Sequence, residues 1–276
     1  VADASPCAAC LLVPSMRLGQ DLFIQGQVSE RFYHGLNKIM KIMQAWDLGL
    51  KPISIYADRV VKDSYPEASK KASFFSGGVD SFYTYLKNKS IGNKMDSLIL
   101  INGYDISLSN KKLWQMTRES VADATKDEDV EIIEVESNVR SCIDPIMDWS
   151  YTFGGCLAAV ALCLRRELKE AFIASAYSYA QLKPDGAHPH TDPLWSTETL
   201  SFHHDGADAS RLEKTKFISA YPSVMRNLRV CFRNKDSRFN CGSCDKCMRT
   251  MISLRIAGAL ERSDTFPRSI DLEKVR

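Results

Sequence analysis

The chain has 276 residues, 45% hydrophobic and 25% charged, which is enough apolar content for one sizeable core plus a smaller appended unit and unlike a disordered chain. Its 36 basic and 34 acidic residues leave a net charge of +2, so no overall field marks a nucleic-acid or membrane partner. No apolar run approaches the roughly 18 residues of a membrane span.

Taken in chain order, residues 28–46 predict an amphipathic helix. Ser29 is its N-cap, and Phe32, Leu36, Ile39, Met43 and Trp46 form a helical stripe that reads as core or as a subunit contact. Residues 52–57 read as a short strand. Ala72–Phe75 is a second, running through a Ser-Gly-Gly turn into a helix over 80–89. Further strands are expected at 97–102, 130–135 and 171–176, with helices at about 111–125 and 155–169 between them. Such alternation predicts an α/β fold, a parallel twisted sheet with helices on both faces. Residues 177–210 show little periodicity and read as one long loop, and a loop of that length is usually functional. Helical patterns follow Arg211, and a last helix covers about 246–257.

The turn after the 72–75 strand is Ser76-Gly77-Gly78-Val79-Asp80-Ser81. Glycines let backbone N–H groups approach an anion closely, and the following helix points its positive end at the same place. Ser76 and Ser81 add hydroxyl donors. Asp80 stands where it can help hold Mg²⁺ or cap the helix. The plain alternative is a glycine turn between strand and helix.

Of nine cysteines, four fall in one short segment: Cys231, then Cys241-Gly-Ser-Cys244-Asp-Lys-Cys247. Four thiolates close a tetrahedral zinc site, and two-residue gaps let one tight turn aim three of them. Lys235, Arg238, Lys246 and Arg249 favour the thiolate forms. A redox site, an iron–sulfur cluster or inert buried thiols are the other readings. The uneven spread of cysteines suits a reducing cytoplasm with one metal site. Cys7 and Cys10 read as incidental in a flexible end, and Cys156 and Cys163 as core.

Asp185, His188, His190, Asp192, Trp195 and Glu198 crowd fourteen residues, with His204 and Asp205 close behind. This pattern fits substrate recognition. A second metal on His188, His190 and Asp192, which share a face if extended, and a solvated loop are the alternatives. Arg211 and Lys214 lie one helical turn apart and suit a phosphate or a substrate carboxylate. Asn138 and Arg140 follow the 130–135 strand and are further substrate candidates. Gly154 and Gly155 are expected to open the buried helix, where they admit either a ligand or close packing.

The Ser76–Ser81 hexapeptide resembles the signature of the pyrophosphate-loop ATPases. Joined to one cysteine and then C-x-x-C-x-x-C, it resembles the 7-cyano-7-deazaguanine synthases within that group. The resemblance covers roughly residues 72–257 and implies an adenine nucleotide alpha-hydrolase-like sheet with ATP, Mg²⁺ and Zn²⁺ as cofactors. It further implies cleavage of ATP between its α and β phosphates to adenylate a carboxylate or carbonyl, followed by attack of ammonia or another nucleophile. On this reading Ser76, Gly77, Gly78, Val79, Asp80 and Ser81 hold the pyrophosphate and its metal. Asn102 and Gly103 lie near the adenosine, Gly154 adds a nucleotide contact, and Asp80, Ser81, Arg211 and Lys214 carry the chemistry. The chain departs from the synthases in some seventy residues before the loop, in Phe82 where Thr is common, and in the 177–210 segment, which directs the chemistry to a different acceptor.

The expected division is an N-terminal α+β extension (1–70), a nucleotide-binding domain (71–225) and a zinc-binding segment (226–276). The expected partner is a small molecule or modified base, with no membrane involved. A protein or nucleic-acid acceptor and a homodimer stay open. The competing functions are an RNA-modifying thiolase, favoured by the basic residues from Arg226 to Arg255, a modifying component of a defence or biosynthetic system, and a nucleotide sensor.

Overall fold

Strands and helices form where the side-chain pattern demands them, and the strands gather into two sheets. The computed structural model describes residues 3–64, 68–234 and 238–271; Lys235 lies outside them. Strands β1 (Leu22–Ser29) and β2 (Ile55–Val61) pair in parallel, with Leu22 opposite Ile55 and Ser29 opposite Val61. The larger sheet contains β3 (Lys70–Phe74), β4 (Ser97–Asn102), β5 (Glu131–Glu136), β6 (Leu168–Ala174) and β7 (Ser201–Asp205), in the order β5-β4-β3-β6-β7. It is a parallel sheet: β4 runs alongside β5 from Ser97–Glu131 to Asn102–Glu136, and β6 alongside β7. The nearly continuous burial of β4 is what a covered parallel strand requires. The chain is therefore α/β.

Two compact units share the chain, each assembled from three stretches. One holds residues 1–72, 138–175 and 182–205, the other 73–137, 176–181 and 206–276. In the first, α1 (Ser5–Leu18) packs on α6 (Trp149–Cys163), and α2 (Glu30–Ala45) lies against β1 and β2. Ser29 caps α2 as expected, its Oγ accepting from the Phe32 N–H at 3.1 Å. Trp195 is fully buried here beside Phe32. In the second unit, α3 (Val79–Ser90) packs on α7 (Arg211–Ile218), α4 (Lys111–Thr125) on α8 (Pro222–Asn227), and α9 (Asp245–Ile256) on α7.

Four features differ from the sequence expectation, the first being that Cys163, expected as core, is exposed. Cys7 and Cys10 belong to α1, with Cys10 hydrogen-bonded to Cys156, so that end is ordered helix. Helix α6 begins six residues before Gly155 because Asp148 caps it, accepting from the Ser150 N–H at 2.7 Å. Gly154 and Gly155 therefore sit mid-helix. A Cβ on Gly154 would lie 1.8 Å from the Gly186 carbonyl, and one on Gly155 would lie 2.4 Å from that of Ala9, so close backbone packing accounts for both. Finally, 177–210 is not one loop: it contains β7 and two 3-10 turns, Tyr179–Gln181 and Asp192–Trp195. Among the described residues no helix is long and apolar enough to cross a membrane.

Candidate functional site

The Ser76–Ser81 turn joins the carboxyl end of β3 to α3, the end of a parallel sheet where ligands bind in such folds. Gly77 adopts φ +72°, and its missing Cβ would meet nothing within 4 Å, so this glycine is required by conformation alone. The Ser81 hydroxyl clasps the turn. It accepts from the Gly78 N–H at 3.1 Å and the Ser76 N–H at 3.4 Å. The start of α3 leaves N–H groups without intrahelical partners and a partial positive charge.

Two cations converge on the same place. Ser210 and Glu213 form a reciprocal cap that fixes the start of α7 and sets Arg211 and Lys214 on one face. Arg211 Nη1 lies 2.7 Å from Asp80 Oδ2, and Lys214 Nζ lies 3.2 Å from Asp80 Oδ1. Lys214 is almost fully buried, and that burial pushes its ammonium below the usual lysine range, against the pull of Asp80. Its Nζ also lies 5.7 Å from the centre of the Tyr83 ring, whose hydroxyl donates to Asp208. Asp80, expected as a cap or a Mg²⁺ ligand, thus has both oxygens on basic side chains. A helix N-terminus beside an Arg and a Lys can attract an anion.

Asn102 and Gly103 mark the carboxyl end of β4. Asn102 Nδ2 lies 3.3 Å from Glu136 Oε2, and among the described residues its buried Oδ1 has no hydrogen-bond partner. Both side chains line a cavity of about 530 Å³ together with Leu108, Lys111, Trp114 and Arg118. Gly103, at φ +102°, abuts the Ser137 carbonyl.

The sulfur atoms of Cys231, Cys241, Cys244 and Cys247 lie within 4.8 Å of one another, and all but that of Cys241 belong to buried residues. Gly242, at φ +67°, turns the chain so that the Ser243 and Cys244 N–H groups donate to the Cys241 sulfur at 3.5 and 3.3 Å. Burial opposes ionisation of Cys241, but these bonds and the Ser243 hydroxyl outweigh it, pulling the thiol down to about 6. Burial pushes Cys244 up, a cost that a bound dication offsets. Convergent thiols with N–H···S support suit a thiophilic ion, and the group can hold a metal such as zinc. Among the described residues it is the one group of three or more ligand atoms that converges in this way.

The polar segment belongs to the other unit. His188, His190 and Asp192 do not form an extended face, because the His188 carbonyl accepts from the Thr191 and Asp192 N–H groups in a turn. Asp192 is fully buried, accepts from the His188 N–H at 3.1 Å, and lies 2.7 Å from His204 Nδ1. His204 Nε2, on the other side of the ring, is buried with no hydrogen-bond partner among the described residues. His190 donates its N–H to His188 Nδ1, which fixes the neutral His188 with its proton on Nε2. Glu198 accepts from Ser29 Oγ and from the Arg31 and Asp63 N–H groups, tying the segment to the start of α2. Asp185 is buried, and Trp195 is core. Asp205 ends β7, its carbonyl accepting from the Ser175 N–H. Asn138 precedes α5 (Val139–Ile143), and Arg140 pairs with Asp144 and lies over the Trp149 ring.

His188 gives this cluster a measurable signature. Burial, and then His190 and His204, push it down to about 4 from an ordinary 6.5. The folded protein therefore resists its protonation more than the unfolded chain does. Its contribution is complete above about pH 6.5 and drains away as pH falls toward 4. Raised Asp192 titrates with the opposite sign, so the comparison must be with His188→Asn, which keeps the backbone bond to Asp192. Denaturant midpoints from pH 7 to 4.5 should show the wild type losing roughly 1–2 kcal/mol more than this variant.

Two residues of the site were not read as part of it from the sequence. Arg229 donates its N–H to the Gly77 carbonyl at 2.9 Å, and Asn240 braces the segment before Cys231, accepting from the Val230 N–H. In the sequence Arg229 stood only among the basic residues of 226–255, and Asn240 only beside Cys241. Comparison of the chain with known protein families, with curated proteins and with solved structures finds no match.

Proposed function

We propose that the chain is an ATP-dependent enzyme of the pyrophosphate-loop kind, with an adenine nucleotide alpha-hydrolase-like sheet and zinc on the four cysteines. The observation that carries this reading is the gathering of Arg211 and Lys214 at Asp80, beside the Ser76–Ser81 turn and the N-terminus of α3. Mg²⁺ carried in with the nucleotide would neutralise phosphate charge, while both Asp80 oxygens stay on Arg211 and Lys214. The turn and helix receive the β and γ phosphates through backbone N–H groups. Arg211 and Lys214 stabilise negative charge growing on the leaving pyrophosphate, and Asp80 holds both cations in position. An acceptor carboxylate or carbonyl oxygen attacks the α phosphorus, the bond to the bridging oxygen breaks, and pyrophosphate departs. Ammonia or another nucleophile then displaces AMP. The acceptor is a small molecule or modified base.

The test is product analysis. ATP and Mg²⁺ with a panel of carboxylate and amide acceptors should yield AMP and pyrophosphate. Asp80→Ala should lower that rate by at least about a hundredfold, because both cations lose their shared anchor. Formation of ADP and phosphate would refute the reading.

A further inference from the structure

The segment around Cys231 meets the phosphate turn through the backbone N–H of Arg229 and the turn after β4 through the side chain of Asn234, and the Arg229 side chain joins those two points. Arg229 is buried. Its N–H holds the Gly77 carbonyl, while its Nη2 donates to the Cys231 carbonyl at 3.1 Å and to Asn234 Oδ1 at 2.5 Å. Asn234 stands at φ +49°, and its Nδ2 donates to the Asp105 carbonyl at 2.6 Å, in the turn that follows β4. The two backbone walls attributed to the nucleotide, the Ser76–Gly78 turn and the 103–106 turn, are thus both tied to the residues just before and after Cys231. Asn240 braces the same stretch from the other side of the centre. Its Oδ1 accepts from the Val230 and Cys231 N–H groups, and its Nδ2 donates to the Leu228 carbonyl at 2.8 Å. Asn240 immediately precedes Cys241. A metal bound to Cys231, Cys241, Cys244 and Cys247 would cross-link the two ends of this brace.

We propose that the metal centre and the phosphate turn are thermodynamically coupled, with Arg229 and Asn234 as the positioning residues that transmit the coupling. This deepens the nucleotide reading and rests on it for the identity of the ligand. Metal binding fixes the 228–234 segment, Arg229 then fixes Gly77 in its left-handed conformation, and Asn234 fixes the 103–106 turn. A site ordered in advance does not spend binding energy on ordering. Linkage makes the effect reciprocal, so polyphosphate must retain the metal by the factor by which the metal strengthens polyphosphate binding.

The experiment uses the full chain loaded with zinc, with Arg229→Met and Asn234→Gly as variants; glycine keeps the left-handed backbone while deleting the amide. Zinc per chain is measured by elemental analysis, Mg-ATP affinity by calorimetry, zinc loss to a chromophoric chelator with and without ATP, and amide exchange over residues 73–82 by mass spectrometry. We expect ATP to tighten the wild type's retention of zinc against the chelator at equilibrium by about fivefold or more. Both variants should keep one zinc, bind ATP about tenfold more weakly, lose the ATP effect on zinc retention and exchange faster over 73–82. Should Arg229→Met fail to fold, Asn234→Gly carries the test alone. Wild-type exchange and affinity in a zinc-loaded variant overturn the coupling. Faster exchange in the variants, with no ATP binding by the wild type, refutes the nucleotide reading and leaves the link between metal centre and turn standing.

Discussion

Cys244→Ser should strip the protein of its metal and lower its stability by about 4 kcal/mol, a fall of roughly 10 °C in melting temperature for a chain of this length. Cys244 is fully buried and does two things at once. Its sulfur is one corner of the four-thiol group, and it is the N-cap of α9, accepting from the Cys247 N–H at 3.5 Å. Serine can keep a version of the cap, because its hydroxyl also accepts at that position. It supplies no thiolate. The loss therefore reports the metal, not the helix end. Cys163→Ser is the control, since Cys163 is exposed and outside the centre. Elemental analysis and thermal unfolding of both variants decide the matter. Freshly purified wild type with negligible zinc would sink the metal assignment, as would an equal loss in the control.

The second large effect is expected at Gly103. Its φ of +102° is strained for any other residue, and a Cβ there would lie 1.8 Å from the Ser137 carbonyl oxygen. No rotamer relieves a clash between two backbones. The Gly103 N–H also donates to the Ile106 carbonyl, and the Ser137 N–H to that of Asn102, so the turn and the ends of β4 and β5 must part together. Gly103→Ala should cost about 4 kcal/mol or more, at the extreme of single substitutions. Gly77→Ala makes the useful contrast. There only the positive φ is at stake, with no atom near the new methyl, and about 1–2 kcal/mol is expected. Urea unfolding of the two variants separates steric from conformational demand. Similar midpoints for both would show that the 103–137 contact gives way more easily than its geometry implies.

What could be read from the chain follows a physical line. Strand β4 and helix α4 lie where periodicity placed them, because an unbroken apolar run and a 3.6-residue stripe are local properties of the sequence. The four cysteines were legible for a related reason: short ligand spacing is itself the geometry. Strand β7 was not, since its one well-buried apolar residue, Phe202, stands among Ser, His and Asp and leaves no alternation to see. Helix α6 was found but started late, as the cap that begins it is Asp148, ahead of the glycines that drew attention. Candidate site residues divide in the same way. Asp80, Arg211 and Lys214 were each singled out, yet their convergence on one carboxylate joins residues 131 and 134 positions apart and has no trace in any window. The Asp192–His204 pair was hidden for the same reason, inside a segment that read as loop.

The interleaving of the two units has a consequence for how the chain can be made and cut. Each unit needs three separate stretches, the last of the first unit ending at residue 205 and the last of the second beginning at 206. No single scission releases either one whole, so a nicked chain is expected to stay associated or to lose both. During synthesis the first unit cannot close until residue 205 has left the ribosome, long after its opening helix, and α1 must wait exposed for α6 to arrive. Closure of the first unit therefore comes well after its first helix is made, and the hazard is α1 held open until then.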